Sequence, residues 1–309
     1  MQDEVVSVKD FRKVYGSVKA VDGISFEVHR GEIFGLLGPN GAGKTTTLES
    51  LEGLRQPTSG SLGILGVNPT QQPQKLNNLI GVQLQASGLP GSMTAKEAME
   101  FFCAYHHVAP RPDLLVRLGL GEKLASQFST LSTGLQRRLS LALAIAHDPP
   151  VVLLDEPTAG LDVGSRVELH EVMRELKAKG STIILATHDM AEAEKMADRV
   201  AIMLKGKIAA TGTPTQLTAT GSGLVKISIA SETSSLLKEA GVFPEVAQQI
   251  IKDEYAIYYS RDAGTTVPTI FEYLKAHDDR LVDLRVERPS LEDRFLEITQ
   301  PDQSNGGQP

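Results

Sequence analysis

Tryptophan is missing from this chain, cysteine occurs once, and Phe and Tyr bring the aromatic share to only 5% of 309 residues. The single thiol, Cys103, excludes an internal disulfide framework and suits a reducing cytosol. It lies in an apolar helical stretch, where a buried structural thiol is expected. Positive charge is also scarce. Against 38 Asp and Glu stand 31 Lys and Arg, a net charge of −7, so no nucleic-acid partner is expected. The longest apolar runs, such as Leu139–Ala146 and Val151–Leu154, fall far short of the roughly 20 residues that span a bilayer. The N-terminal MQDEVVSVKD lacks the apolar core of a secretion signal. What remains, 41% hydrophobic and 22% charged residues, is the make-up of a soluble globular protein with ample core for one large domain or two ordinary ones.

The stretch GPNGAGKTT, residues 38–46, is a Gly-x4-Gly-Lys-Thr phosphate loop with the right flanks. The apolar run Ile33–Leu37 leads in as a buried strand, and residues 46–54 lead out as a helix with Leu48 and Leu51 on one face. Gly38, Gly41 and Gly43, with Pro39, Asn40 and Ala42 between them, let successive N–H groups face one anion. The helix start at Lys44, Thr45 and Thr46 adds partial positive charge at the same place. Lys44 is expected on the β- and γ-phosphates and the Thr45 hydroxyl on Mg2+. The chain therefore reads as a nucleoside triphosphate binder.

Ahead of the loop, Val5–Val8 and Ile24–Val28 alternate apolar with polar and read as strands of an antiparallel edge sheet. Tyr15 lies between them, where an aromatic ring can stack on a nucleobase but is equally at home at a strand end. Beyond the loop helix, Ser61–Leu65 and Ile80–Leu84 read as short strands. Gln85 ends the second, where strands of an α/β sheet deliver residues to a ligand crevice. Thr94-Ala-Lys-Glu97 is a capping box opening a helix, and helical stretches follow at Leu114–Leu118 and Leu135–Ala146. This block, residues 88–147, interrupts the strand–helix alternation as a helical insert. Within it, LSTGLQ (residues 131–136) precedes the last helix; Ser132 reads as an N-cap, Gly134 leaves N–H groups uncovered, and spacing alone favours a simple capped helix.

Val151–Leu154 reads as a buried strand followed at once by Asp155 and Glu156. Two acids at the end of an apolar strand are costly unless a cation or a reaction uses them. Strand alternation predicts opposite faces and separate tasks: Asp155 for hydrated Mg2+, Glu156 to polarise an attacking water. Ala159–Asp162 is a tight turn opening the helix Val163–Lys179. The strand Thr182–Ala186 is closed by Thr187-His188-Asp189, which puts His188 at the same edge as Gln85 and the acid pair, positioned for a γ-phosphate contact. Asp189 and Glu192 resemble a capping box for the next helix.

Residues 218–223 read as a linker. Past it the pattern is strand Leu224–Ala230, helix Ser234–Ala240, strand Glu245–Ile251, strand Tyr255–Ser260, helix Pro268–His277 and strand Leu281–Glu287, with a last helix at Leu291–Ile298. This βαββαβ order predicts a small α+β ferredoxin-like domain at 224–299 without a catalytic constellation. The tail 300–309 is expected to be disordered.

Taken together, the phosphate loop, the Gln85 loop, LSTGLQ, VVLLDEP, AGLD and His188 occur in the order of the ATP-binding cassette (ABC) proteins, which the chain resembles over residues 1–217. That resemblance implies a P-loop NTPase fold: a RecA-like core, an antiparallel β subdomain and the helical insert. It implies ATP and Mg2+ as ligands, with Thr45, Gln85 and Asp155 at the metal. Tyr15 matches the adenine-stacking aromatic, Glu156 the catalytic base, His188 the γ-phosphate switch residue and Asp162 the D-loop. Gln85 matches the residue that touches Mg2+ or the attacking water and senses the membrane partner. Ser132 and Gly134 match the signature that caps the other protomer's ATP, while Thr133 and Leu135 depart from its usual LSGGQ. One loop and one signature per chain imply a homodimer around two ATP. The segment Pro289–Leu296 is similar to the tail of ATPase subunits of ABC-2-type, daunorubicin-resistance-like exporters, and implies an ABC-2-type integral-membrane permease partner and a peripheral place at the cytoplasmic face of the membrane. An ABC-type ATPase acting on ribosomes or DNA, or a P-loop kinase, are the other classes weighed; the first usually carries two cassettes or long insertions, and the second needs neither LSTGLQ nor AGLD.

Overall fold

A computed structural model describes residues 3–84, 88–219, 224–238, 243–287 and 289–299. Gln85, residues 220–223 of the expected linker at 218–223, and the tail 300–309 lie outside the described residues. Two compact units emerge, residues 1–213 and 214–309.

The first unit begins with the long hairpin β1 (Glu4–Tyr15) and β2 (Val18–His29), followed by β3 (Ile33–Leu37), α1 (Lys44–Leu51), β4 (Ser59–Ile64), α2 (Pro73–Leu76) and β5 (Ile80–Gln83). Then come α3 (Ala95–Tyr105), α4 (Pro112–Arg117) and α5 (Thr133–Ala144), then β6 (Val151–Asp155), α6 (Val163–Ala178), β7 (Thr182–Thr187), α7 (Met190–Met196), β8 (Arg199–Leu204) and β9 (Lys207–Gly212). The hairpin strands run well beyond the alternating cores read from the sequence, because a tight turn at Gly16 and Ser17 lets Tyr15 pair with Val18. The expected capping box is made: Thr94 Oγ1 accepts from Glu97 N–H, and Glu97 Oε2 accepts from Thr94 N–H at 2.8 Å. Cys103 is buried, its Sγ 3.5 Å from Met99 Sδ.

Two sheets share one core. The order β2-β1-β4 makes a three-stranded antiparallel sheet, and β5-β6-β7-β3-β8-β9 a six-stranded sheet, parallel except at β8–β9. Every residue of β3, β6 and β7 is buried, which explains their unbroken apolar runs: parallel strands covered on both faces have no solvent side to mark. Phe26 of β2 stacks on Phe34 of β3 with ring centroids 5.2 Å apart, joining the two sheets. The parallel register places Leu37 opposite Thr187 and Asp155 opposite Ala186. The C-terminal ends of β3, β6 and β7 therefore finish at one edge.

The second unit contains α8 (Pro214–Ala219), β10 (Val225–Ser231), α9 (Ser235–Lys238), β11 (Val246–Lys252), β12 (Tyr255–Ser260), α10 (Ala263–Ala276), β13 (Leu281–Glu287) and α11 (Leu291–Thr299). Its antiparallel sheet has the order β11-β12-β10-β13, with Ile227, Ile229, Tyr258, Ile270 and Leu274 in its core. The βαββαβ succession read from the sequence is present. Two boundaries differ. Helix α8 occupies residues expected to end the first domain, up to 217, and to begin the linker, 218–219; Pro214 opens it at its first position, where proline fits a helix. Helix α10 starts at Ala263 instead of Pro268. Asp262 caps it by accepting from Gly264 N–H at 2.9 Å, and Pro268 sits inside the helix. Reading proline as a start signal missed the acid ahead of it.

Leu153, fully buried at the centre of β6, tests the core that holds the acid pair. Leu153→Ala is expected to lower stability in urea unfolding by about 2–5 kcal/mol. Val163→Ala, at an 80% exposed position, should stay within about 0.5 kcal/mol of the parent. A loss below about 1 kcal/mol for Leu153→Ala would remove β6 from the centre of the core.

Candidate active site

The edge where β3, β6 and β7 end collects most of the residues singled out from the sequence. Residues 38–43 turn from β3 into α1 through backbone conformations that need glycine. Gly38 has φ +154°, and a Cβ there would lie 2.3 Å from the Met203 carbonyl; Gly43 has φ +106°, and a Cβ would lie 2.5 Å from the Ala20 carbonyl. Gly43 caps α1 without any side-chain hydrogen bond, so the helix start carries its positive dipole end into the loop. Lys44 is 5% exposed; its Nζ donates to the Gly38 carbonyl at 2.7 Å and lies 3.4 Å from Glu156 Oε1.

Asp155 and Glu156 are both buried, at 3% and 6% exposure. Strand alternation predicted opposite faces, and the structure corrects this. Glu156 has φ +49°, outside the extended region, and both acids reach the loop helix. Asp155 takes a hydrogen bond from Thr45, while Glu156 faces Lys44. A glutamate at positive φ is uncommon and is held by the surrounding structure, here by Glu156 N–H donating to the Ala186 carbonyl at 2.9 Å. Burial pushes the Asp155 carboxyl above its usual range, against the opposing pull of the Thr45 hydrogen bond and the Lys44 charge. Asp155 Oδ1 and Glu156 Oε1 are buried without a hydrogen-bond partner. His188 Nδ1 lies 2.8 Å from Glu156 Oε2, so the histidine, lysine and glutamate form one chain of contacts.

A second group gathers at the start of α5. Ser132 caps that helix, its Oγ accepting from Leu135 N–H at 3.3 Å. A Cβ on Gly134 would lie 3.3 Å from Ser165 Oγ. Ser165 in turn donates through its N–H and hydroxyl to Asp162, the cap of α6, at 2.9 and 2.7 Å, and accepts from Arg138 at 2.8 Å. Gly134 and Asp162 thus meet at Ser165, while Ser132 caps the same helix start that carries Gly134. Their described hydrogen bonds do not reach the phosphate loop. Tyr15 is 40% exposed at the tip of the first hairpin, with Lys13 Nζ 4.9 Å above its ring.

Sequence reasoning missed several residues. Arg137 donates to the Leu84 carbonyl at 3.2 Å, and burial lowers its pKa although Asp155 and Glu156 pull the other way. Buried Gln83 reaches the Arg137 carbonyl at 3.4 Å. Glu192 was read as half of a capping box. Asp189 does cap α7, but the Glu192 carboxylate turns instead to buried His170 Nε2, 3.0 Å away on α6. Arg166, one turn earlier on α6, lies 3.5 Å from Asp189. These contacts tie the helix after Asp162 to the helix after His188, and the i, i+4 spacing of Arg166 and His170 against Asp189 and Glu192 was their only local signal.

Against this geometry, the sequence matches the ABC transporter family over residues 21–159. It is 35% identical over 304 residues to the Nod factor export ATP-binding protein I of Ralstonia nicotianae, across 96% of this chain and 94% of that one. The chain belongs to the ABC transporter ATP-binding proteins. It is also similar to the linearmycin resistance ATP-binding protein LnrL of Bacillus subtilis (32% identity, 96% of this chain, 98% of the relative). Likewise it is similar to the daunorubicin resistance ATP-binding protein DrrA3 of Streptomyces coeruleorubidus (30% identity, 98% of each). Among solved structures, the ATP-binding subunit of an ABC transporter superposes with a TM-score of 0.65 at 30% identity, over 69% of this chain and 91% of that one. The cbiO1 subunit of Clostridium perfringens gives 0.63 at 29% identity, over 71% and 92%. The P-loop cassette fold, ATP binding and ATPase activity follow for this ABC protein, and a kinase is set aside.

Beside residue 84 this ABC subunit has a cavity of about 410 Å3, lined by Glu52, Ile80, Leu84, Phe102, His106 and His147 among others. Burial, with Glu49 and Asp155 nearby, pushes the Glu52 carboxyl up to about 7. The His106 and His147 rings stack 3.7 Å apart, and burial with the His106 neighbour brings His147 down to about 4. A histidine whose folded pKa lies below its unfolded value adds stability that is full above about 6.5 and is lost as pH falls towards about 4. Between those pH values the parent is expected to lose about 1–2 kcal/mol more in urea unfolding than His147→Phe, allowing for solvent screening of a half-buried ring. Equal losses in the two proteins would show that His147 is not a source of acid lability.

Proposed function

We propose that two copies of this chain close around two ATP molecules, hydrolyse them at the Lys44–Asp155–Glu156–His188 edge, and so drive export through a separate ABC-2-type permease. One observation carries this reading: a buried lysine, two buried acids and a histidine, drawn from three strand ends, converge on a glycine turn that leads into a helix start. Residues 38–46 would cradle the phosphates through backbone N–H groups, with Lys44 leaving the Gly38 carbonyl for the β- and γ-phosphate oxygens. Glu156 would take a proton from the attacking water as its oxygen bonds to the γ-phosphorus and the bond to ADP breaks. His188, held against Glu156, would steady that acid and reach the γ-phosphate.

The donor set suits a hard divalent cation. Asp155 Oδ1 is buried without a partner, and Thr45 presents a hydroxyl beside it. Thr45 and Asp155, with Gln85, would hold Mg2+, which when bound neutralises charge on the phosphate oxygens. Tyr15 is proposed to stack on the base. Ser132 and Gly134 of the partner subunit would cover the γ-phosphate, and Asp162 would line the joint.

Export is favoured over work on ribosomes or DNA because the relatives described above are export and resistance proteins. Among the described residues no helix is long and apolar enough to cross a membrane, so the reading requires a permease on a second chain, with this subunit at the cytoplasmic face. The apolar cavity lined by Leu84 is the surface proposed for that contact.

Glu156→Gln is expected to keep ATP affinity, to lower turnover by about 100-fold or more, and to accumulate an ATP-dependent dimer in light scattering. Parent-like hydrolysis would remove Glu156 from the base role, and a monomer with ATP bound would end the shared-site reading. Lys44→Ala should weaken nucleotide binding by about tenfold or more in calorimetry, and an unchanged affinity would contradict the phosphate contact.

A further inference from the structure

Strand β13 closes the C-terminal sheet, and among the described residues β10 is its one strand neighbour. Its other edge therefore offers backbone N–H and C=O groups to whatever comes alongside, a feature proteins normally blunt. On β13 charge is confined to one face, as Asp283, Arg285 and Glu287, and the pairing with β10 shifts register between Ala230 and Ser231. Leu281, Val282 and Val286 are 41%, 64% and 50% exposed, an apolar rim that charge does not interrupt on the core-side face. Val286 stands opposite buried Ile227 and Leu284 opposite buried Ile229, so these two lie on the core-facing side, and Val282, 64% exposed, falls at the register shift beside them. Asp283, Arg285 and Glu287 alternate with them on the other face.

The charges on that other face select a partner. Asp283 and Arg285 are fixed in place: Arg285 Nε donates to Asp283 Oδ2 at 2.8 Å, and Tyr255 on β12 donates to the same oxygen at 2.8 Å. Arg285 also lies over the Tyr255 ring, 5.2 Å from its centroid. A second β13 laid antiparallel along the edge can keep the faces matched only in registers centred on a residue. Centred on Asp283 or on Arg285, the strands oppose like charges. Centred on Leu284, each Asp283 meets an Arg285, each Val282 meets a Val286, and the four charges alternate in sign. The sequence Val-Asp-Leu-Arg-Val is thus complementary to itself under a two-fold axis, the condition for a closed, isologous contact.

We propose that two copies of this chain join through the free edges of β13, antiparallel and centred on Leu284, with Asp283 facing the partner subunit's Arg285. This pairing gives the C-terminal unit a role in the homodimer proposed above, but it does not depend on ATP or on the cassette site. Nucleotide-driven closure and edge pairing therefore fail separately: the first is read as ATP-dependent association of Glu156→Gln combined with Asp283→Arg, where edge pairing is weakened, the second from the full chain without nucleotide.

The test is sedimentation of the full chain in nucleotide-free buffer. The parent is expected to self-associate. Asp283→Arg and Arg285→Asp should each weaken association by about tenfold or more, since every cross-strand pair then carries like charges. An equimolar mixture of the two variants should recover it, because both cross-strand pairs of the mixed dimer then join an arginine to an aspartate, while each chain's own pair stays broken. Val282→Lys, at a solvent-exposed position, should weaken association without disturbing the fold, and ATP binding by each variant checks that the chain is intact. A monomeric parent, single variants that associate like the parent, or a mixture that does not recover would each overturn the proposal. The last result would assign Asp283 and Arg285 to holding their own strand only.

Discussion

Lys44 beside Glu156, both almost fully withdrawn from water, is the contact around which the site is organised. A buried ammonium is unfavourable unless its charge and its three donors are met. Here the Gly38 and Pro39 carbonyls accept from the ammonium at 2.7 and 3.4 Å, and the Glu156 carboxylate, 3.4 Å away, balances its charge. That arrangement requires the loop to curl back over its own helix, which glycine at 38 and 43 permits, and requires a carboxylate to arrive from another strand at the same depth. The positive φ of Glu156 is what brings it there. A lysine held by carbonyl oxygens and an acid is also one that a phosphate can draw away, since phosphate oxygens replace neutral acceptors with charged ones.

Strand register supplies the rest of the geometry. Because Asp155 pairs with Ala186 and Leu37 with Thr187, the loop, the acid pair and His188 emerge at one level. Parallel strands joined by helices can be brought into such alignment from distant parts of the chain, and ligands of open α/β sheets accordingly sit at this edge. Downstream, His170–Glu192 and Arg166–Asp189 bind the two helices that leave the site, so that Asp162 and His188 are carried on elements packed together.

Much of this was legible in advance where the signal is local. The phosphate loop, the wholly apolar strands and the Thr94–Glu97 box depend on residues within one or two turns of each other. They appear where expected. The failures share a cause. Pro268 signals a helix start only while the cap at Asp262 is left out of account. Glu192 was given to a capping box because His170 lies 22 residues away, on another helix. Alternation sent Glu156 to the wrong face because it assumes that extended backbone continues past the strand end.

Taken alone, then, the residue order determines which chemistry the chain carries: a glycine turn with Lys44 and Thr45, acids after an apolar run, and a histidine closing a third strand. These follow from propensity, spacing and the cost of leaving charge in an apolar run. Only the tertiary structure decides that Glu156 turns to Lys44 and His188, that Arg137 reaches the Leu84 carbonyl, and that one edge of β13 has no strand neighbour among the described residues. Each of those outcomes depends on the register of parallel strands or on the order of strands in a sheet, and both are set by packing between segments far apart in the chain.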